Sequence, residues 1–523
     1  MSPTITTANA GTPALWLKCR ETATRFGYGF LLIVSIILWV AAIRSPLWLD
    51  ETGSFWEIRA GFLHIWARQS VCFPAYSYIL WLSTKLFGTS EIALRIPSVL
   101  AMLGAAAIMY RIAREMFDHE LGLVATIVFC VNPIVAFEAI DVRPYAFGVL
   151  VVNAAILVLL RLRHTESGRM AALFGALAAL VVWFHYLFAV ILPGLIIVYW
   201  TLKRAGRKAT WQQFGVAAAV FAVLFLPVIP GLRFLFHTSS SHVFEKPPDF
   251  EALYWALAPQ WVSPVFALTA LFALMMAGLS LRADRQVGIR PAQIVVCICL
   301  GLIPVLILFG VSAGTPIHLF VGRHRLVAVP GIALCWVCLL SLVPYRALRL
   351  GFCLMLVGLT AYGYATQPDS REHMFSWKAA IDVVDRNASV DGASVLMCSD
   401  FPEADYVTLP EVDGTKESRF FAPLSYYKLT VPVYGLPRDL NDQAKRRGAE
   451  FVQIETHWHK RFLAMASEPS YPTLEWIYRI ASGSYDVHTV GIYDRIKVLE
   501  FDPRSRAQGV PDVQVSPGKI AVR

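Results

Sequence analysis

Ser45-Pro46-Leu47-Trp48-Leu49-Asp50-Glu51-Thr52-Gly53-Ser54-Phe55-Trp56 follows directly on the first long apolar segment of the chain, Phe26 to Ile43. That segment is about 18 residues long, just enough to cross a bilayer. Two adjacent carboxylates flanked by aromatics therefore fall where a span should meet water, an expensive place for charge unless a task holds it there. A helix cap or a solvated loop is the plainer alternative, since Asp ahead of a turn is common.

The rest of the composition agrees with a membrane setting. Of 523 residues, 56% are hydrophobic and 16% charged, and the mean hydropathy is +0.55. A soluble protein carries about 25% charged residues. The net charge of +9 does not read as a nucleic-acid face. Its basic residues come in small groups between apolar segments, as cytoplasmic loops do under the positive-inside rule. Most of the nine cysteines lie inside apolar segments, including Cys335-x-x-Cys338, and read as small buried hydrophobes.

Working outward from the opening stretch, Lys18, Arg20 and Arg25 precede the first span and place the N-terminus in the cytoplasm, so Asp50 and Glu51 emerge on the opposite face. Residues 44–90 are aromatic but interrupted by Glu57, Arg59, His64, Arg68 and Lys85, the pattern of helices lying along the interface. Glu91 to Met116 returns to the cytoplasm and Leu121 to Phe137 crosses outward. That puts Glu138, Asp141, Arg143 and Tyr145 on the face of Asp50. Ala146 to Leu160 returns, Met170 to Phe184 leads out to His185, and Leu187 to Leu202 comes back. Phe214 to Ile229 opens into a polar loop over residues 230–262, and three further crossings and a last span near Leu350 to Thr366 follow. The total is about eleven transmembrane helices.

One group breaks the charge rule. Arg323-His324-Arg325 falls on the outer face, where an anionic ligand is a good reason for cations. Beyond residue 366 the composition becomes that of a soluble domain. Trp377 to Asn387 has helical periodicity, and short apolar runs at Ser394 to Cys398, Glu450 to Ile454 and Gly491 to Val498 read as strands. The expected architecture is an α-helical polytopic membrane module over 1–366 and an extracytoplasmic α/β domain over 367–523 with a loose tail.

One surface thus gathers Asp50, Glu51, Arg95, Glu138, Asp141, Arg143, Tyr145, His185, Arg323, His324 and Arg325. Glycosyl transfer from a polyprenyl phosphate needs this kit: a base to take the acceptor's proton and cations to stabilise the departing phosphate. Phosphate leaves readily, so no second carboxylic acid is needed to protonate it, unlike in glycoside hydrolysis. Arg suits the phosphate because its planar fork can hold two oxygens.

Several motifs carry a family resemblance: Pro46-Leu-Trp-Leu-Asp50-Glu51; Phe73-Pro-Ala-Tyr-Ser-Tyr; Phe87-Gly-Thr-Ser-Glu91-Ile-Ala-Leu-Arg95-Ile-Pro-Ser98; and Asp141-Val-Arg143-Pro-Tyr145-Ala. Together they resemble the N-terminal module of the GT-C glycosyltransferases, of the protein O-mannosyltransferase and lipid A aminoarabinose transferase type. The resemblance covers roughly Phe26 to Tyr199, with Gly322 to Pro330 loosely similar to a later Arg-rich segment. It implies a polyprenyl-phosphate monosaccharide donor and inverting transfer to a hydroxyl or amine of a lipid, glycan or protein. It also implies Asp50 as catalytic carboxylate with Glu51 as its partner, and donor contacts at Arg95, Asp141, Arg143, Tyr145, Arg323 and Arg325. Glu138, His185 and His324 stand as further candidates, and either Glu138 or Asp141 fills the second acidic position. No metal-binding motif is present; convergence of Asp50, Glu51 and Asp141 would leave room for a divalent metal without requiring one. The competing classes are a lipid or sugar transporter or flippase, and a surface-polysaccharide polymerase or ligase. Charges gathered at one face rather than at mid-membrane depth weigh against a transporter.

Overall fold

The structure, a computed structural model, describes residues 12–66, 74–204, 211–237, 246–257, 275, 289–343, 345–366, 376–398, 421–436 and 440–504. The chain divides into two compact units, Met1–Met374 and Phe375–Arg523.

The first unit is helical, with no strand among its described residues. Among the described residues, six helices are long and apolar enough to cross a membrane: Glu91–Met116, Tyr145–Leu162, Trp211–Arg233, Pro291–Gly314, Gly322–Leu340 and Arg346–Thr366. A bent pair, His119–Cys130 with Pro133–Ala139, makes a seventh if counted as one, and three apolar helices, Thr24–Val40, Gly168–Phe184 and Tyr186–Leu202, are shorter. These counts do not reach the expected eleven, and 258–274 and 276–288, where an expected crossing falls, lie outside the described residues. The polar loop expected over 230–262 contains two short helices, Ile229–His237 and Phe250–Leu257.

The first helix, α1 (Thr12–Val40), ends in turns that lead into the opening stretch. There the chain folds into α2 (Leu49–Arg59), α3 (Phe62–Ile65) and α4 (Pro74–Phe87). Helix α2 is buried along most of its length, while Phe62, Leu63 and Trp66 around α3 and Leu82, Leu86 and Phe87 on α4 are exposed. Exposed apolar side chains beside polar ones are what an interfacial helix presents to lipid. The α2–α3 corner turns on Gly61, whose φ of 94° suits glycine.

Helix α5 (Glu91–Met116) starts at Ser90, whose side chain accepts from the Ala93 N–H at 3.3 Å, with Glu91 in the first turn. Helix α6 (His119–Cys130) starts likewise at Asp118, which accepts from Leu121 at 2.8 Å. It does not run on to Phe137 as one span. The helix stops before Asn132-Pro133, and α7 (Pro133–Ala139) leaves at 72° to it. Pro133 has no N–H to continue the ladder, and the Asn132 side chain accepts from Ile134 at 3.0 Å to cap the new helix. The bend ends beside the loop that carries Asp141 and Arg143, ahead of α8 (Tyr145–Leu162).

Farther along, the Pro291–Gly314 and Val329–Leu340 helices meet backbone to backbone at Gly301 and Gly331, where an added Cβ on Gly331 would overlap the Leu300 backbone. Small residues permit such an approach between membrane helices. The crossing fixes the Gly322–Leu340 span, whose first turn carries Arg323.

The second unit contains a five-stranded sheet in the order β2-β1-β3-β5-β4, with β1 (Ser394–Cys398) parallel to β2 (Val433–Leu436) and to β3 (Phe462–Ser467). Strands β4 (Tyr485–Tyr493) and β5 (Ile496–Pro503) form an antiparallel hairpin on β3. Two sequence expectations are corrected. Glu450 to Ile454 is part of a helix, Asp442–His457, which turns Phe451 and Val452 into the core. The single strand expected over Gly491 to Val498 is split by a turn at Asp494, whose φ is 55°.

Candidate functional site

Asp50 and Glu51 share the first turn of α2 but point into different surroundings. Glu51 is fully buried and meets Arg95, also fully buried, at 2.6 Å. Its Oε1 accepts from Arg95 Nε and the Val142 N–H, both at 3.0 Å, and its Oε2 accepts from Arg95 Nη2 and, at 3.2 Å, from the Trp48 N–H. Arg95 meanwhile donates through Nη1 to the carbonyls of Ile43 (2.9 Å) and Ser45 (2.6 Å), and through Nη2 to that of Pro46 (3.2 Å). A guanidinium has five N–H donors, and these contacts occupy them all. Glu51 and Arg95 are thus a hub holding residues 43–51 against α5 and residue 142. The expected catalytic role of Glu51 and phosphate contact of Arg95 do not fit this geometry: one has no open lone pair aimed at a substrate, the other no remaining donor.

Asp50 is different. Its side chain is 19% exposed, and its Oδ2 accepts from Arg323 Nη1 at 2.6 Å, Arg323 itself being 20% exposed. The pair joins the first turn of α2 to the head of the Gly322–Leu340 helix. Around Arg323 the charged and phenolic neighbours are Tyr145, Asp50, Arg143 and Glu138. Arg143 is only 9% exposed; its guanidinium lies 5.9 Å from the Tyr145 ring centroid and its Nε has no hydrogen-bond acceptor among the described residues. A buried cation of this kind calls for an anion. Its carboxylate neighbours are Asp50, Glu57 and Asp141.

The two acidic candidates of the second loop do different things. Asp141 accepts from the Trp48 indole N–H at 3.0 Å, and its backbone carbonyl accepts from the Ser98 hydroxyl at 2.5 Å, so it ties that loop to the opening stretch and to α5. Glu138 is buried beside Arg323 and Tyr145. His185 packs on Tyr145 with ring centroids 5.0 Å apart and on His324 at 5.4 Å. Burial first, then His324, Arg143 and Arg323, push His185 well below the ordinary imidazole range, so it stays neutral and adds no positive charge. His324 is held by the Leu319 carbonyl, 2.9 Å from its Nδ1. Arg325 lies over the Phe320 ring at 4.9 Å rather than against Asp50.

The structure therefore brings together Asp50, Glu138, Arg143, Tyr145, Arg323 and the His185–His324 pair. It sets apart Glu51 and Arg95 as support, with Arg325 at the margin. Sequence reasoning missed Trp48, Ser98 and Glu57. Glu57 is buried, accepts from Ser77 at 3.2 Å and neighbours Arg143. Its signal was present: it lies seven residues, two helical turns, after Asp50 and so shares its face of α2. Asp50, Glu51 and Asp141 do not converge on one point, and among the described residues no three His, Cys, Asp or Glu side chains are grouped to hold a metal.

Residues 72–232 match the family Dolichyl-phosphate-mannose-protein mannosyltransferase. No curated protein matches the chain in sequence. Among solved structures, ArnT from Cupriavidus metallidurans in the apo state aligns with a TM-score of 0.54 at 13% identity, over 90% of this chain and 97% of that one. The same protein bound to undecaprenyl phosphate aligns with a TM-score of 0.51 at 12% identity, over 92% and 99%. In fold, and over residues 72–232 in sequence, the chain is similar to the GT-C membrane glycosyltransferases.

Proposed function

We propose that the protein transfers a monosaccharide from a polyprenyl-phosphate donor to a hydroxyl or amine of a lipid, glycan or protein, with inversion at the anomeric carbon. The observation that carries this reading is the pairing of a partly exposed carboxylate, Asp50, with Arg323 at 2.6 Å beside the buried Arg143. ArnT is seen with undecaprenyl phosphate, and a lipid phosphate suits the cations present here.

Asp50 is the general base. As the acceptor oxygen or nitrogen attacks the anomeric carbon, its proton passes to an Asp50 carboxylate oxygen. The bond from that carbon to the phosphate oxygen breaks, and its electron pair leaves on the phosphate. Arg323 and Arg143 face the charge that develops there, in a site buried enough for fixed cations to act strongly. Tyr145, backed by the neutral His185, is the ring over which Arg143 lies. No step calls for a second carboxylic acid. By the charge rule the site faces the outer side of the plasma membrane, as does the second unit, with the N-terminus in the cytoplasm.

The test is mass spectrometry of envelope lipids, glycans and glycoproteins from cells carrying the wild-type or the Asp50→Asn protein. The reading expects one sugar modification to disappear and its lipid-linked donor to accumulate in the variant; an unchanged profile contradicts it.

A further inference from the structure

The first turn of α2 makes two acid–arginine pairs, and they differ in kind. Glu51–Arg95 is sealed, with both side chains at 0% exposure and every guanidinium N–H engaged. Asp50–Arg323 is made at the same 2.6 Å but with about a fifth of each side chain reachable from outside. A sealed pair cannot exchange partners without exposing a buried charge. A partly exposed pair can, because an incoming anion can reach the arginine and replace the carboxylate as its partner.

The reachable pair also joins two groups with opposing tasks. A carboxylate that accepts a charged hydrogen bond from Arg323 is a weaker base than one that does not. The arginine, in turn, is engaged by Asp50 when a phosphate needs it. Resting on the reading of Asp50 as base and Arg323 as phosphate contact, we propose that Arg323 is a latch on the base. It holds Asp50 Oδ2 until the lipid phosphate arrives, then moves that hydrogen bond to the phosphate, so that Oδ2 becomes the stronger base for the acceptor's proton.

Three physical points favour the exchange. A phosphate offers Arg a bidentate partner. Its negative charge, brought beside Asp50, raises that carboxylate's proton affinity. As the bond to the anomeric carbon breaks, the departing phosphate gains charge and draws Arg323 further, at the moment when Asp50 must accept a proton. Donor therefore binds before acceptor in a productive order, and the enzyme without donor keeps Asp50 a weaker base toward stray hydroxyls.

The exchange predicts a counterintuitive phenotype: the variant that loses catalysis binds the lipid phosphate better. The experiment measures binding of farnesyl phosphate to the purified full-length protein in detergent for wild type, Asp50→Asn, Arg323→Ala and the double variant. Each is checked for monodisperse elution, and Asp50→Ala is used if the Asn variant is not recovered. Freeing Arg323 from a partly exposed pair should tighten binding about fivefold in Asp50→Asn. Arg323→Ala should weaken binding, and adding Asp50→Asn to it should restore nothing. Unchanged or weaker binding by Asp50→Asn overturns the latch. So does the same gain in the Arg323→Ala background, which would mean that removing any negative charge helps the phosphate. Turnover of Asp50→Asn is read separately: full activity would fail the base assignment whatever the binding cycle shows.

Discussion

Arg95→Gln is the perturbation that most severely tests how the site is held. Arg95 and Glu51 are fully buried and 2.6 Å apart, so removing the cation strands a carboxylate in a dry setting. Breaking a buried pair in this way costs about 3–5 kcal/mol. The Arg95 head also satisfies the carbonyls of Ile43, Ser45 and Pro46, each worth about 1 kcal/mol. Together these losses rival the net stability of a whole domain, about 5–15 kcal/mol. The damage should fall first on residues 43–51 and on the loop whose Val142 N–H donates to Glu51, so Asp50 and Arg143 lose their common frame. Arg95→Lys keeps the charge but has three donors for five positions, and should fall between Gln and wild type. The assay is thermal unfolding of the purified protein in detergent by tryptophan fluorescence, with transfer activity normalised to folded protein. If Arg95→Gln melts with wild-type protein and turns over normally, the hub account is wrong.

Other outcomes follow from the same geometry. Arg143→Ala should weaken use of the lipid-phosphate donor by at least tenfold, since a charge-assisted contact is worth about 1.5–3 kcal/mol, whereas Arg325→Ala, resting on Phe320, should matter less; donor titration of initial rates separates the two. In the second unit, Arg461 hydrogen-bonds Asp391 through Nε at 3.0 Å and Nη2 at 2.8 Å and holds its carboxyl below the usual range. Because the folded value is the lower one, the stabilisation is full above the unfolded value of about 3.9 and fades as pH falls through the folded value. Asp391→Asn should flatten that acid loss, read in thermal melts as the pH falls below about 4. Cysteine labelling should reach an introduced cysteine near residue 520 from outside intact cells; labelling only after permeabilisation contradicts the assigned topology.

Much of the site is visible in the linear chain because charge is rare in an apolar sequence. Asp50 and Glu51 stand out after an apolar run, and Arg323 stands out by falling on the disfavoured side in the topology expected from the charge rule. What the chain does not reveal is partnership. Glu51 and Arg95 are 44 positions apart and Asp50 and Arg323 are 273, and only burial in the folded molecule decides which pair is sealed. Glu57 was read as an interruption of an interfacial stretch because its partner Ser77 lies on another helix. The Asn132-Pro133 break carried its own signal, yet the apolar run from Leu121 to Phe137 outweighed it. In the second unit, β3 (FLAMAS) is buried on both faces and shows no alternation, so it left no strand pattern. The β4–β5 turn uses Asp494 and Arg495 rather than glycine.

The central claim is that one carboxylate, Asp50, takes the acceptor's proton. Its most direct measurement is turnover of purified Asp50→Asn beside wild type and Glu51→Gln, with a polyprenyl-phosphate sugar and membrane-derived acceptor, as a function of pH. The account predicts that Asp50→Asn loses about 10²–10⁴-fold of the rate and its acidic limb while still binding lipid phosphate. Glu51→Gln should keep that limb on a lower plateau. Near wild-type turnover by Asp50→Asn, or loss of the acidic limb only in Glu51→Gln, would contradict it.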